Sequence, residues 1–312
     1  MNAVRRPLLG VVVCVLLLTA HESVLGQETA FDLETTLARL GAQLERRYQQ
    51  TQRIVSTEMV WVRSFTREMR SNGSARRLEF ERRVEWGTSE ENGMPSVTVY
   101  RDLRSVNGQE PKQGDEDACL TPAATTEDPL SVFLPVRQVE FDFSLGELER
   151  IDSRLVARLE YVPVVEGRAD VTWDEDCVSI SLSGRSRGEV WVDVESGDVL
   201  RLDEHLTGQF DFRVPEERAL TRPRQITLER DDRSIRYERV TFENPVEMLM
   251  LPRSIERSWV LRGGGFVPRY YRRQQFSNHR RFVTDGRLVG VGGAADDVGG
   301  RQPEPTPPRR EP

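Results

Sequence analysis

Residues 77–86, RLEFERRVEW, alternate with a period of two: Leu78, Phe80, Val84 and Trp86 fall on one face, and Arg77, Glu79, Glu81, Arg83 and Glu85 on the other. Successive side chains of a strand point to opposite faces, so the segment reads as an antiparallel strand with one packed face and one wet face. A parallel sheet covered on both sides needs near-continuous apolar runs, which a chain of 37% hydrophobic and 30% charged residues does not supply. The partner strand is expected at 55–66, joined through Ser71-Asn72-Gly73-Ser74, where Asn-Gly offers the positive φ of a tight hairpin. Asn72-Gly73-Ser74 also fits a glycosylation acceptor, but the turn accounts for it without a sugar.

The same pattern recurs downstream. A strand over 97–106 closes at Asn107-Gly108. Val190, Val192 and Val194 alternate, Glu195-Ser196-Gly197-Asp198 turns, and 199–206 returns. Further strands are expected at 139–145, 155–162, 225–229, 234–242, 249–261 and 267–282, with Gly263-Gly264-Gly265 between the last two. Residues 121–138 read as a short helix interrupted by Pro129 and Pro135. Upstream, Leu33, Leu37, Leu40, Leu44 and Tyr48 recur at spacings of four and three, a helical stripe with Glu34, Arg39, Glu45 and Arg46 facing away. Thr29 followed by Asp32 marks its start. The mixed signs of its polar face suit packing on a sheet better than lying on a membrane. The fold class is therefore α+β: a mostly antiparallel sheet with an N-terminal helix packed on it.

The N-terminus carries an address. Arg5 and Arg6 precede the apolar run 8–20, His21, Glu22 and Ser23 follow, and Val24-Leu25-Gly26 sets small residues before a cut at Gln27. The run is short for a bilayer span. Cys14, flanked by Val13 and Val15 inside that run, does not suit a lipoprotein cut. Residues 1–26 are thus expected to be a signal peptide, 27–287 one domain, and 288–312 a disordered Gly/Pro-rich tail. Export to the periplasm or the exterior leaves Cys119 and Cys177 in an oxidising compartment, which favours one disulfide over two free thiols.

The formal charge of −7 speaks against a nucleic-acid partner. Lys112 is the only lysine among 44 basic residues, which fits arginine–carboxylate pairing and codon bias alike. His205 and His279 are the only histidines after residue 26, and neither stands in a metal-ligand spacing. Asp203 and His205 would share a strand face without an evident third ligand. The runs Asp115-Glu116-Asp117 and Asp174-Glu175-Asp176 lack the glycine and terminal glutamate of a calcium loop and read as solvated loops. Gly184-Arg185-Ser186-Arg187-Gly188 matches G-x-S-x-G, with Asp193 and His205 following in order. That motif needs strand, sharp turn and helix, whereas an alternating strand follows here. The glycine triplet at 263–265 has neither the helix nor the lysine of a phosphate loop. Arg272, Arg273, Arg280 and Arg281, interleaved with Tyr270, Tyr271, Phe276 and Phe282, could meet an acidic headgroup or partner, but read better as the wet face of a strand. No catalytic residue, metal ligand or cofactor site is assigned.

Residues 188–201, GEVWVDVESGDVLR, resemble the strand–turn–strand W-x-D-x-x-x-G-x-x-L-R of lipoprotein-carrier-like (Lol-type) periplasmic proteins. Residues 100–108 and 276–282 are similar to segments of uncharacterised exported bacterial proteins. The resemblance implies an open or half-barrel, strongly curved antiparallel sheet with helices against its concave face. It also implies a lipid or another apolar ligand held in that concavity. The function expected is that of an exported, non-enzymatic envelope protein. The alternatives are an interaction module that offers its charged strands and tail to an envelope partner, without a small-molecule ligand, and a serine hydrolase at Ser186.

Overall fold

The computed structural model describes residues 32–50, 53–88, 95–115, 124–167, 169–174, 177–182, 184–217, 224–243, 246–263 and 269–281. In chain order come α1 (Leu33–Gln50), β1 (Arg53–Ser64), β2 (Arg76–Thr88), β3 (Pro95–Val106) and β4 (Ala124–Glu127). Two 3-10 turns follow, Pro129–Phe133 and Gln138–Glu140. Then come β5 (Phe141–Ile151), β6 (Arg154–Pro163), β7 (Asp170–Asp174), β8 (Cys177–Ser181), β9 (Ser186–Asp193) and β10 (Val199–Leu206). The chain closes with β11 (Phe210–Arg213), β12 (Gln225–Glu243), β13 (Val246–Arg262) and β14 (Arg269–Arg281). One curved, open antiparallel sheet runs β4-β3-β2-β1-β14-β13-β12-β10-β9-β6-β5, with β11 beside β12; β7 and β8 form a separate ribbon.

Local chemistry explains most of these elements. α1 buries Leu37, Leu40 and Leu44, the stripe its sequence spacing implies. Its cap is Asp32, whose Oδ1 accepts from Thr35 N at 2.8 Å. The start signal thus sits on Asp32 itself, and Thr29 lies outside the described residues. Asn107 and Gly108 both take positive φ, 52° and 80°, as the mirror-image hairpin turn requires. The β1–β2 connection differs from expectation. Its tip is Thr66–Arg70, with Met69 at φ 59°, and Phe65 pairs with Ser71, so Asn72-Gly73 sits beside the turn rather than making it. Pro129 starts a 3-10 turn instead of interrupting a helix. Asp128 caps that turn by accepting from Leu130 N, and proline at the first position needs no donor of its own. The two strands expected at 225–229 and 234–242 are one long strand, β12, bent at irregularities in its pairing with β13.

Directly paired residues share a face. Tracing the register across the sheet, Leu159, Val190, Leu202, Ile235, Ile255, Gln274, Val60 and Leu78 form one row on the inner face. α1 and the first 3-10 turn cover the middle of that face. Leu40, Leu44, Leu130 and Phe133 join Leu159, Val190, Leu202 and Tyr161 in one core.

Two further pieces cover its ends. Beyond residue 236, the β12–β13 hairpin leaves both of its neighbours and pairs only with itself. This arm shows Tyr237 and Met250 to the α1 core, and Val240, Phe242, Leu249 and Leu251 to Ile54 and Trp86. The β7–β8 ribbon sets Val171, Trp173, Val178 and Ile180 on Phe212, Leu228, Trp259 and Leu261. The hollow that a curved sheet would leave open is largely filled by the protein's own chain.

Candidate functional site

A pocket of about 230 Å3 remains where α1, the β9–β10 turn and the arm meet. α1 contributes Gln43, Leu44 and Arg47, the turn contributes residues 196–199, and the arm contributes Arg239 and Met248 to Met250. The resembling segment 188–201 builds this lip. Asp193 Oδ1 accepts from the Glu195 and Ser196 amides, both at 3.0 Å, and Gly197 takes φ 74°. The turn thereby aims Asp198 inward. Asp198 is buried and binds the Arg239 guanidinium through Nε and Nη2 at 2.8 and 2.6 Å, while Gln43 Nε2 donates to it at 3.2 Å. The rim is polar and satisfied; the floor is Leu44, Leu130, Val199 and Leu249. Met248, 64% exposed, stands at the mouth, and Val246, 83% exposed, lies two residues before it on the same face of the arm.

Arg47 ties α1 to the pocket's back wall. It is buried and lies 3.4 Å from Asp128 Oδ2, itself buried. Burial works against the guanidinium charge, but Asp128 together with Tyr48 and Tyr237 outweighs it, and the Arg47 pKa is raised. One ion pair therefore links the helix to the 3-10 turn that closes the core.

The inner face also carries a polar lane that periodicity alone did not single out. Glu58, wholly buried, sits among β1–β3 and β14. Its Oε2 is 2.7 Å from Arg101 Nε and 3.8 Å from Arg82 Nε, and its Oε1 accepts from Gln274 Nε2. Burial alone would raise its pKa; Arg101 and Arg82 reverse that, and the carboxyl is held below its usual range. Across the sheet, Glu204 pairs with Arg233 at 2.5 Å and accepts from Tyr161 Oη at 2.9 Å. Arg257 binds Asp231 through two hydrogen bonds of 2.6 and 2.8 Å. A signal for these residues did exist. Arg82 stands in phase with Phe80 and Val84 in the very strand that decides the fold, a charge on a packed face.

The other sequence candidates fall elsewhere. Ser186 opens β9 opposite Leu206, and no helix follows it. Asp193 lies at the other end of that strand and serves the turn, so serine, acid and histidine do not assemble. Asp203 and His205 do share the outer face, but each is separately engaged. Asp203 binds Arg201 and Ser234, and His205 Nδ1 lies 2.9 Å from Asp232 Oδ1. Among the described residues no three His, Cys, Asp or Glu side chains gather as a metal site would require.

Asp115 binds Arg76 and the Lys112 amide, while Glu116, Asp117, Glu175 and Asp176 lie outside the described residues. So does Cys119; the backbone of Cys177 begins β8. The glycine triplet lies between β13 and β14, partly outside the described residues. The arginine stretch corrects the reading of it as a wet face. Arg273 and Arg280 face solvent, but Arg272 stands on the inner face in register with Arg257, and Arg281 is paired with Glu247 of the arm.

No family model matches the sequence, and no curated protein matches it. Solved structures do. A DUF1329 family protein from Desulfovibrio piger is 10% identical with a TM-score of 0.37, over 83% of this chain and 95% of that one. A LolA superfamily protein from Nitrosomonas europaea is 13% identical with a TM-score of 0.28, over 81% and 94%. MucB in complex with MucA(peri) is 12% identical with a TM-score of 0.21, over 79% and 94%.

Proposed function

We propose that this chain is an exported envelope protein that binds rather than catalyses, and that it takes the end of an apolar ligand, such as an acyl chain, between α1 and the arm. The observation that carries the reading is the pocket with the floor of Leu44, Leu130, Val199 and Leu249 and the exposed Met248 at its mouth. Methionine is flexible and polarisable, suited to a surface that adapts to apolar shapes. At about 230 Å3 the pocket is smaller than the roughly 300–1,000 Å3 typical of small-molecule sites. A ligand therefore enters by one end, or α1 swings outward to admit more. Export rests on residues 1–26, and removal of that segment leaves a chain beginning at Gln27.

Native mass spectrometry and lipid extraction of the full chain, purified from cell envelopes, test the reading. The expected result is a co-purifying amphiphile, lost in Met248→Glu, which places a charge at the exposed mouth and spares the core. Absence of any apolar ligand, together with no displacement of an environment-sensitive dye by fatty acid, overturns it. N-terminal sequencing of the processed protein tests the cut.

A second reading, an interaction module, has its own support. Val136, Val139, Val162, Val164 and Val165 are all exposed around the start of β5 and the end of β6, where Val164 N donates to Glu140 O. An apolar cluster of this kind marks a docking surface on a folded protein. Crosslinking in cells, comparing the native chain with Val139→Glu/Val165→Glu, tests it. An unchanged pattern rules out this patch.

A further inference from the structure

Register places Arg233, Arg257 and Arg272 side by side on the inner face of β12, β13 and β14. Like charges directly opposed across strands destabilise a sheet, so each needs an anion. Arg233 has Glu204 and Arg257 has Asp231. Arg272 has none: no carboxylate of the described residues lies within ion-pair distance, and its Nε is buried without a hydrogen-bond partner. The adjacent carboxylate, Glu58, already spends Oε2 on Arg101 and Oε1 on Gln274. Two more buried donors on this face, Arg82 Nε and Ser56 Oγ, also lack hydrogen-bond partners. A half-buried guanidinium whose buried Nε has no partner is costly. Burial, then Arg257 and Arg101, push the Arg272 pKa down.

Arg272 also borders a cavity. With Arg101, Gln274, Glu58, Val60 and Phe80 it lines a cleft of about 10 Å3, room for one water-sized group. Its basic groups exceed its single carboxylate. We infer that this cleft is an oxyanion site: Arg272 and Arg101 receive one oxygen of a phosphate-type group, whose remainder projects along the inner face. Guanidinium matches phosphate oxygens in geometry as well as charge. The inference does not depend on the apolar pocket, whose lining residues are all different.

The test is thermal unfolding of the full chain with inorganic phosphate, with dodecyl phosphate, and with dodecyl maltoside as a neutral amphiphile. The variants are Arg272→Gln, Arg272→Lys and the solvent-facing control Arg273→Gln. A ligand that binds only the folded state raises the midpoint with concentration. The expected result is a rise for wild type and Arg273→Gln with a phosphate source and no rise specific to phosphate for Arg272→Gln. Affinity should be weaker by about tenfold or more in Arg272→Gln, the worth of a charge-assisted hydrogen bond, and only partly reduced in Arg272→Lys. A rise with the free ion assigns a soluble phosphate, and a rise with dodecyl phosphate alone assigns a headgroup.

A readout without ligand accompanies this. Arg272→Gln should raise the midpoint in phosphate-free buffer, because it removes a half-buried charge that has no carboxylate partner among the described residues. Equal phosphate shifts in wild type and Arg272→Gln, or no shift in wild type with either source, overturn the inference. So does a loss of ligand-free stability in Arg272→Gln that phosphate does not distinguish from wild type.

Discussion

The Tyr161 hydroxyl donates to Glu204 Oε1 at 2.9 Å across an entire intervening strand, because the residue between them is Gly188. A Cβ at Gly188 would lie 2.5 Å from Tyr161 Oη and 2.6 Å from the Asp203 carbonyl. The bare strand lets the phenol cross from β6 to β10. Burial, with Glu204 beside it, pushes the Tyr161 pKa far up, so the hydroxyl keeps its proton and can donate it to Glu204. Gly188→Ala should therefore cost about 1–3 kcal/mol or more by overpacking. Tyr161→Phe should cost about 1–3 kcal/mol by leaving a buried carboxylate oxygen without its donor. In urea unfolding the double variant should lose less than the sum of the singles, since both act on one bond. Strict additivity would contradict this account.

Glu58 gives a pH dependence with a definite sign. Its carboxyl pKa is depressed in the folded state, Arg101 and Arg82 outweighing burial. An unfolded glutamate titrates near 4.3. The carboxylate therefore contributes its full stabilisation above roughly that pH and loses it as pH falls through the lower folded value. Urea midpoints measured from pH 7 down to pH 3 should fall more steeply for wild type than for Glu58→Gln. At pH 7 the variant should be less stable by about 3–5 kcal/mol, the usual result of breaking a buried pair from one side. Parallel pH profiles would show that Glu58 is not the responsible group.

Much of the fold was legible because antiparallel strands with one wet face write themselves at period two, and α1 at three and four. Asn107-Gly108 was legible for a related reason, since both residues need positive φ. Other features depend on distant partners. Asn72-Gly73 carries a turn signal, yet Phe65–Ser71 pairing set the tip elsewhere. In sequence the arm is indistinguishable from ordinary strand, because nothing local shows where β10 and β14 stop pairing with it. In sequence Arg272 looks solvated because Arg273 beside it is, and its phase with Gln274 and Phe276 passes unnoticed among so many arginines. Of the candidate pocket, only the lip at residues 193–199 had a signature. Arg47 and Asp128 are 81 positions apart, and nothing local announces that they meet.

That meeting predicts a coupled pair. Arg47→Met strands Asp128 in the core and should cost about 3–5 kcal/mol. Asp128→Asn strands Arg47 similarly while retaining an oxygen to cap Leu130 N. Arg47→Met/Asp128→Asn removes both charges and should recover a substantial part of the loss, a coupling readable in a double-mutant cycle. Because α1 is fastened here, Arg47→Met should also increase binding of an apolar dye at the helix–sheet groove. Losses that simply add would mean the two side chains act independently.

The cysteines provide the last prediction. Among the described residues the β7–β8 ribbon makes no backbone ladder with the main sheet, and it packs on that sheet through Val171, Trp173, Val178 and Ile180. A two-stranded ribbon is marginally stable by itself, so a covalent tether at its Cys177 end would have a physical purpose. In an oxidising compartment we expect Cys119 and Cys177 to be joined. Peptide mapping of the exported protein without reductant should recover both in one linked fragment, two hydrogens lighter than the reduced pair. Reduction, or Cys119→Ser, should speed proteolysis within residues 164–184 more than elsewhere, because the ribbon would open locally before the sheet does. Both cysteines alkylated as free thiols in protein taken from the oxidising compartment would dismiss the bridge.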